Sequence, residues 1–374
     1  MKILLNGLAA LQLKTGIGRY IAEFAGTFRA EFPDDELTIW PRNPQASSAG
    51  GTAAGSRWTG KLRERIKPVL RAGLEVHFGF ASRRERYDIY HEPNYLAFPC
   101  PAPTVLTVHD LSVVEHPEWH PADRVRLHAK LFPRSLRDAA HIVTDSEVVR
   151  QAAIARYGIA AERITAVPLG VSSLYRRRPE AELADFRRRL LLPERFLVSV
   201  GTVEPRKNLA MLFRAYLDLP SVLRQRCPLV VVGTWGWKSE NARAIFENAG
   251  PASGLRRLGY VADADLPNLY SAAAALLYPS LYEGFGLPPL EMFACGGAVV
   301  ASLDPAVAEV TQGRAYGLPA DDVHGWRDAI RTLIDEPNWA KTLQSGVETI
   351  ASQYTWAATA RRTRDVFTRA AHCG

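Results

Sequence analysis

Two glutamates, Glu283 and Glu291, stand with seven residues between them in the run Tyr282-Glu283-Gly284-Phe285-Gly286-Leu287-Pro288-Pro289-Leu290-Glu291. Gly284 and Gly286 let the backbone turn tightly and approach a ligand closely. Pro288 and Pro289 suit a helix start, where a missing N–H costs little. The unpaired N–H groups of such a start attract an anion. Glu283 precedes the turn and Glu291 falls in the first turn or two of the helix, so both can face one cavity. The plainer reading is a solvated Glu283 and a Glu291 that complements the helix dipole. A second run, Gly201-Thr202-Val203-Glu204-Pro205-Arg206-Lys207-Asn208, follows an apolar strand and opens a helix. Adjacent cations there are unfavourable unless an anion sits beside them, and a diphosphate would satisfy both. Arg binds two phosphate oxygens at once and Lys adds a point charge. His109-Asp110 ends the apolar run Thr104–Val108, a place from which an imidazole reaches beyond a sheet. Gly16-Ile17-Gly18-Arg19-Tyr20 puts a glycine turn between a strand and a helix. Asp263-Ala264-Asp265 can cap the helix that follows it.

The elements that must position these residues alternate along the chain. Strands read at Ile3–Leu5, Leu37–Trp40, Asp88–Tyr90, Thr104–Val108, His141–Val143 and Ile164–Val167, with helices over Gly18–Ala30, Pro121–Asp138 and Glu147–Tyr157. Further strands read at Phe196–Val200, Leu229–Val232, Arg256–Leu258, Ala274–Tyr278 and Ala298–Ala301, with helices over Asn208–Leu217 and Pro289–Cys295. Such alternation predicts an α/β protein of parallel sheets with helices on both faces. A chain of 374 residues exceeds the size of one hydrophobic core, so two domains are expected. The charged stretch SSLYRRRPEAELADFRRR marks a boundary near Val171–Pro193. Ligands of two such Rossmann-like domains sit in the cleft beyond the strand ends. Residues 43–56 are small and polar and read as a mobile loop. Residues 57–86 carry nine Lys/Arg against three Glu. They read as a basic surface helix packed on its domain, or as an interfacial helix facing anionic lipid.

Hydrophobic residues at 47% and charged residues at 23% suit a globular protein, and no apolar run reaches the ~20 residues of a membrane span. Met1–Leu5 reads as a buried strand and not as a secretory leader. Cys100, Cys227, Cys295 and Cys373 lie far apart, with no zinc spacing, which favours a reducing, cytoplasmic compartment. A net charge of +7 suits an anionic partner, and no nucleic-acid motif stands out.

The Glu283–Glu291 run resembles the E-x7-E signature of the retaining family 4 glycosyltransferases, whose fold is GT-B: two Rossmann-like domains of parallel sheet facing a central cleft. The resemblance covers nearly the whole chain and is densest in the second half. It implies residues 1–172 as an acceptor domain, 173–353 as a donor domain, and 354–374, from Tyr354-Thr355-Trp356, as a helix crossing back to the first. It implies Glu283 on the transferred sugar, the backbone of Phe285, Gly286 and Leu287 on sugar and phosphate, and Glu291 on the ribose hydroxyls. The Gly201–Asn208 run resembles the family's diphosphate site, with Lys207 neutralising the leaving group. Many members carry Arg after the first glycine; here Thr202 stands there, and Arg206 is the candidate to replace that charge. Gly16 and Gly18 resemble the glycine loop near the donor phosphates and acceptor. His109 resembles the histidine that hydrogen-bonds the donor sugar. Val261 and Asp263 resemble the loop that holds the base, where Asp263 could accept two N–H bonds from guanine.

These likenesses imply metal-independent transfer from a nucleotide-sugar, GDP-mannose first among the donors, to a glycan or lipid-linked glycan, in surface polysaccharide synthesis. No cofactor is implied, because the nucleotide-sugar is a substrate. Asp263-Ala264-Asp265 spells a D-x-D that holds metal in other glycosyltransferases, but its place late in the chain beside a helix start speaks against that. UDP-, dTDP- and GDP-deoxy-sugar donors remain alternatives, as does a non-catalytic nucleotide-sugar-binding scaffold. An epimerase or phosphorylase on the same architecture stays open too. A dinucleotide oxidoreductase is disfavoured: Ile21 stands where its third glycine belongs, and the second strand ends in Trp40-Pro41. Peripheral contact with the inner membrane face is the remaining expectation.

Overall fold

The computed structural model describes residues 1–11, 16–41 and 60–372, with residues 60–70 given as backbone only. Two six-stranded parallel sheets organise the chain. The first is built from β1 (Lys2–Asn6), β2 (Glu36–Trp40), β3 (Ile89–Glu92), β4 (Thr104–Val108), β5 (His141–Thr144) and β6 (Ile164–Ala166), in the order β2-β1-β3-β4-β5-β6. The second is built from β7 (Leu197–Val200), β8 (Leu229–Val232), β9 (Leu255–Gly259), β10 (Ala275–Tyr278), β11 (Ala298–Ser302) and β12 (Tyr316–Leu318), in the order β12-β11-β10-β7-β8-β9. Strands covered on both faces need unbroken apolar runs, and β8, Leu-Val-Val-Val, has all four residues buried.

Each sheet changes its direction of growth once. β1 lies between β2 and β3, and β7 lies between β8 and β10. Loops leaving the two strands at such a point diverge and open a crevice beyond their carboxyl ends. The segments that follow β7 and β10 are the two motif-bearing runs, Gly201–Asn208 and Tyr282–Glu291. Sheet order thus brings together residues almost eighty positions apart.

Helix α1 (Gly16–Glu31) buries Tyr20, Ile21, Phe24, Ala25 and Phe28, the spacing of one helical face. The C-terminal helix, Trp356–His372, lies beside it on the first sheet. Its Phe367 meets the Phe24 and Phe28 rings at centroid distances of 6.4 and 5.9 Å, and its Arg364 pairs with Asp35 at 2.6 Å. Gly170 abuts the Thr355–Trp356 backbone so closely that a side chain there would collide with it.

The structure differs from the sequence reading in several places. β3 runs on to Glu92, because Asn6 and Tyr90 give that buried carboxylate its hydrogen bonds. β12 has no counterpart in the reading: it is three residues long with two exposed, so no apolar run announces it. α1 already begins at Gly16, which puts Gly16 and Gly18 in its first turn and not in a preceding loop. Pro288 and Pro289 lie inside the first turn of the Leu287–Ala294 helix. The basic stretch forms helix α2 (Gly60–Arg84). The loop expected over 43–56 lies outside the described residues. Among them, no helix is long and apolar enough to cross a membrane.

Candidate active site

The two runs converge on Glu283. Its carboxylate accepts from Arg206 Nη1 at 2.7 Å and from Lys207 Nζ at 2.5 Å, and the side chain is 6% exposed. Arg206 also donates from Nε to Glu204 at 2.6 Å, and Lys207 donates to the Tyr278 hydroxyl at 2.9 Å. The anion expected beside the adjacent cations is therefore supplied by the chain itself. Burial alone would push the Glu283 carboxyl up, but Arg206 and Lys207 overcome it and hold it down to about 2. Burial and the neighbouring Arg206 pull the Lys207 amine below its ordinary value despite Glu283. The backbone is fixed as firmly. Asp304 accepts from Glu283 N at 3.0 Å with one oxygen and caps the Pro305–Thr311 helix through Val307 N at 2.9 Å with the other. Asn208 and Gly201 take positive φ of 55° and 143°, which turns the chain after β7 sharply enough to aim Arg206 and Lys207 back at β10. Thr202 is exposed on that turn.

The first sheet closes over this cluster. Gly284 lies against the His109 carbonyl oxygen, so closely that a Cβ would overlap it. Ser146 Oγ donates to Gly284 O at 2.7 Å, and Leu111 N donates to the Tyr282 hydroxyl at 3.0 Å. Glu309, from the second sheet's layer, accepts from Glu147 N and Val148 N at 2.9 and 3.0 Å and so complements the amino end of the Glu147–Tyr157 helix. His109 uses both ring nitrogens, Nδ1 on Asp145 Oδ2 at 2.7 Å and Nε2 on the Pro93 carbonyl at 2.9 Å, so as it stands neither is left for the donor-sugar hydrogen bond that the resemblance implies.

Glu291 stands across the crevice, 2% exposed. It accepts from Arg19 Nη2 at 2.6 Å and from the Tyr270 hydroxyl at 2.9 Å. Arg19 reaches it from α1 and also donates to the Tyr175 hydroxyl at 2.9 Å. Asp263, on the loop after β9, adds a smaller electrostatic pull on the same guanidinium. Val261 is buried, and Asp265 is taken by Arg189 at 2.5 Å. Phe285 turns its ring inward toward Tyr354, at 6.0 Å, so the backbone of Phe285, Gly286 and Leu287 is what remains for a ligand. Gly286, at φ 108°, makes that backbone turn. Gly16 and Gly18 start α1 three residues or fewer before Arg19, and Gly16 is exposed.

The structure therefore brings the two motif runs against the first sheet: Arg206 and Lys207 on Glu283, the His109 carbonyl on Gly284, and Arg19 with Tyr270 on Glu291. Arg19, Asp145, Asp304 and Tyr270 were missed as functional candidates. Arg19 sits inside the quoted glycine motif and was legible as a cation at a helix start. Asp304 before Pro305 was legible only as a helix cap, and Asp145 and Tyr270 carry no local signal. An open cavity of 1110 Å³ lies elsewhere, at the amino ends of β1, β3 and β4, lined by Arg71, Arg86, Asp88 and Pro103 among others. It is remote from the cluster.

Comparison with known proteins identifies the family and the fold. Residues 15–173 match the family described as Glycosyltransferase Family 4, and residues 183–347 match Glycosyl transferases group 1. The O-antigen chain mannosyltransferase B of Escherichia coli is 33% identical over 356 residues, 91% of this chain and 93% of that protein. Among solved structures, the sucrose-phosphate synthase of Thermosynechococcus elongatus aligns with a TM-score of 0.77 at 19% identity, over 98% of each chain. Anabaena HepE in complex with UDP-glucose aligns with a TM-score of 0.73 at 18% identity, over 99% of this chain and 100% of that one. At such identities these structures speak to the fold, two parallel-sheet lobes about a cleft. The chain belongs to the family 4 glycosyltransferases of GT-B fold.

Proposed function

We propose that the protein transfers mannose from GDP-mannose to a lipid-linked glycan, without a metal and with retention of anomeric configuration. The observation that carries this reading is the Arg206–Lys207 pair, gathered on Glu283 beyond β7 and β10 at the switch point of the second sheet. In the reaction, the bond from the sugar's anomeric carbon to the diphosphate breaks and its electron pair stays on the phosphate oxygen. Arg206, Lys207 and the backbone N–H groups around Gly286 stabilise that charge in a site closed to water. The acceptor oxygen bonds to the anomeric carbon from the same face, and its proton passes to the departing phosphate oxygen. Glu283 is already neutralised by two cations, so it serves sugar hydroxyls and not as a nucleophile. Glu291 holds the ribose once Arg19 releases it. The mannose donor is supported by the likeness to a mannosyltransferase. Guanine as the base is supported by Asp263, a carboxylate able to accept two N–H bonds, on the loop that resembles the family's base-binding segment.

Contact with the inner face of the cytoplasmic membrane is part of this proposal. Val76 and Phe80, one turn apart on the basic helix α2, are 61% and 72% exposed, with Arg83 and Arg84 following. Apolar side chains among cations suit an anionic bilayer. Sedimentation with anionic vesicles at low salt, lost in Phe80→Ser, is the expected result; indifference to vesicles overturns this part alone. The main reading is tested by turnover of GDP-, UDP-, ADP- and dTDP-sugars in EDTA, with the product anomer read by NMR. Transfer from GDP-mannose with retention supports it, and inversion or an absolute metal requirement contradicts it.

A further inference from the structure

β3, β4 and β5 are neighbours in the first sheet, so their carboxyl ends deliver Pro93, His109 and Asp145 side by side. The imidazole of His109 is held between two acceptors, Asp145 Oδ2 at 2.7 Å and the Pro93 carbonyl at 2.9 Å. A carbonyl only accepts, and an ionised carboxylate only accepts, so satisfying both requires N–H on both ring nitrogens. Asp145 is 3% exposed, and its other oxygen, Oδ1, has no hydrogen-bond partner among the described residues. Burial pushes the Asp145 carboxyl above its ordinary value while His109 pulls it back, so it keeps its charge through that one partner, and only if the partner is charged. The residue after Asp145, Ser146, bonds the Gly284 carbonyl, and Gly284 abuts the His109 carbonyl. One short segment thus fixes both the imidazole and the turn that follows Glu283.

We propose that Asp145 is a positioning residue for glycosyl transfer, holding His109 as an imidazolium in a single orientation at the mouth of the sugar site. The inference rests on the placement of His109 at the reaction centre. It gives His109 a fixed positive charge. The other groups facing the ring agree. Tyr20 from α1 meets it edge-on at 5.1 Å, Tyr95 from the loop after β3 does so at 6.1 Å, and both are phenols pushed above their ordinary range by burial. His91 on β3 is neutral, held down to about 3 by burial and by His109 itself. Asp110, next in the chain, is an anion: burial opposes its charge, but Arg206 and Ser112 outweigh that. Burial pulls the His109 imidazole down, yet Asp145, Pro93 and Asp110 together carry it above its ordinary value.

The test is Asp145→Asn. An amide carries no charge and, flipped, can donate to a neutral ring, so in the variant the imidazole loses its proton at neutral pH and regains it only in more acid solution. A raised imidazole value means the charged form is kept up to higher pH and lost as pH rises. The alkaline limb of kcat is therefore expected to move toward acid by about one to three pH units in the variant, with the donor KM nearly unchanged. An equal loss at every pH, or an unmoved profile, overturns the proposal. A second readout needs neither donor nor variant turnover: ¹⁵N NMR of histidine-labelled wild-type protein, with His109→Gln for assignment. Both His109 nitrogens are expected to carry protons at pH 7. A neutral ring overturns the proposal, and this holds whichever nucleotide-sugar proves to be the substrate.

Discussion

Replacing Glu283 by Gln keeps the shape of the side chain and removes its charge from between Arg206 and Lys207. A buried carboxyl brought from its ordinary 4.5 down to about 2 reports on the order of 3 kcal/mol of charge stabilisation. That agrees with the roughly 3–5 kcal/mol lost when one partner of a buried ion pair is removed. For a lobe of this size, each kcal/mol moves the melting temperature by about 2–4 °C, so Glu283→Gln should melt about 6–12 °C below the wild type at pH 7. The sign with pH follows from the depressed value. The contribution is complete above pH 4.5 and vanishes as pH falls through about 2, so the two melting curves should converge in acid. GDP supplies negative charge to Arg206 and Lys207, left with Glu204 alone in the variant, and lacks the sugar that Glu283 would hold. It should therefore stabilise the variant more than the wild type. Thermal denaturation of both proteins across pH, with and without GDP, checks this. A variant that melts within about 1 °C of wild type, or gains no more from GDP, refutes the clamp as described.

Lys207→Ala removes one charge from the leaving-group site, and kcat should fall by roughly 10²–10³ in a steady-state assay; near-wild-type turnover would contradict its role. Gly284→Ala sets a methyl against the His109 carbonyl oxygen and 2.9 Å from Asp110 Cβ. The lobes must then part, so small-angle scattering should show a larger radius of gyration and kcat should drop about a hundredfold, while GDP still raises the melting temperature.

The strands most legible in the sequence were those buried on both faces. β8 is Leu-Val-Val-Val and β11 is Ala-Val-Val-Ala-Ser, and no polar residue breaks the first. β12 escaped because an edge strand of three residues with two exposed needs no apolar run. In the site, Glu283, Arg206 and Lys207 were legible because glycines, prolines and charges cluster locally in their two motifs. Asp145 was not, because its meaning lies in a histidine 36 positions away that only the order of β4 and β5 brings near. The pairing of Arg19 with Glu291, 272 positions apart, likewise depends on one lobe closing on the other. What the sequence could not convey was that the cations would find Glu204 and Glu283 as partners before any ligand arrives.

The most direct test of the central claim is the melting temperature in EDTA with GDP, UDP, ADP and dTDP in turn. A ligand at a hundred times its Kd stabilises by about 2.7 kcal/mol, a rise of about 5–11 °C for a lobe of this size. The account predicts that rise with GDP and a much smaller one with the others. A selective rise with UDP would overturn the GDP donor, and no rise with any nucleotide would contradict a nucleotide-sugar site between the lobes.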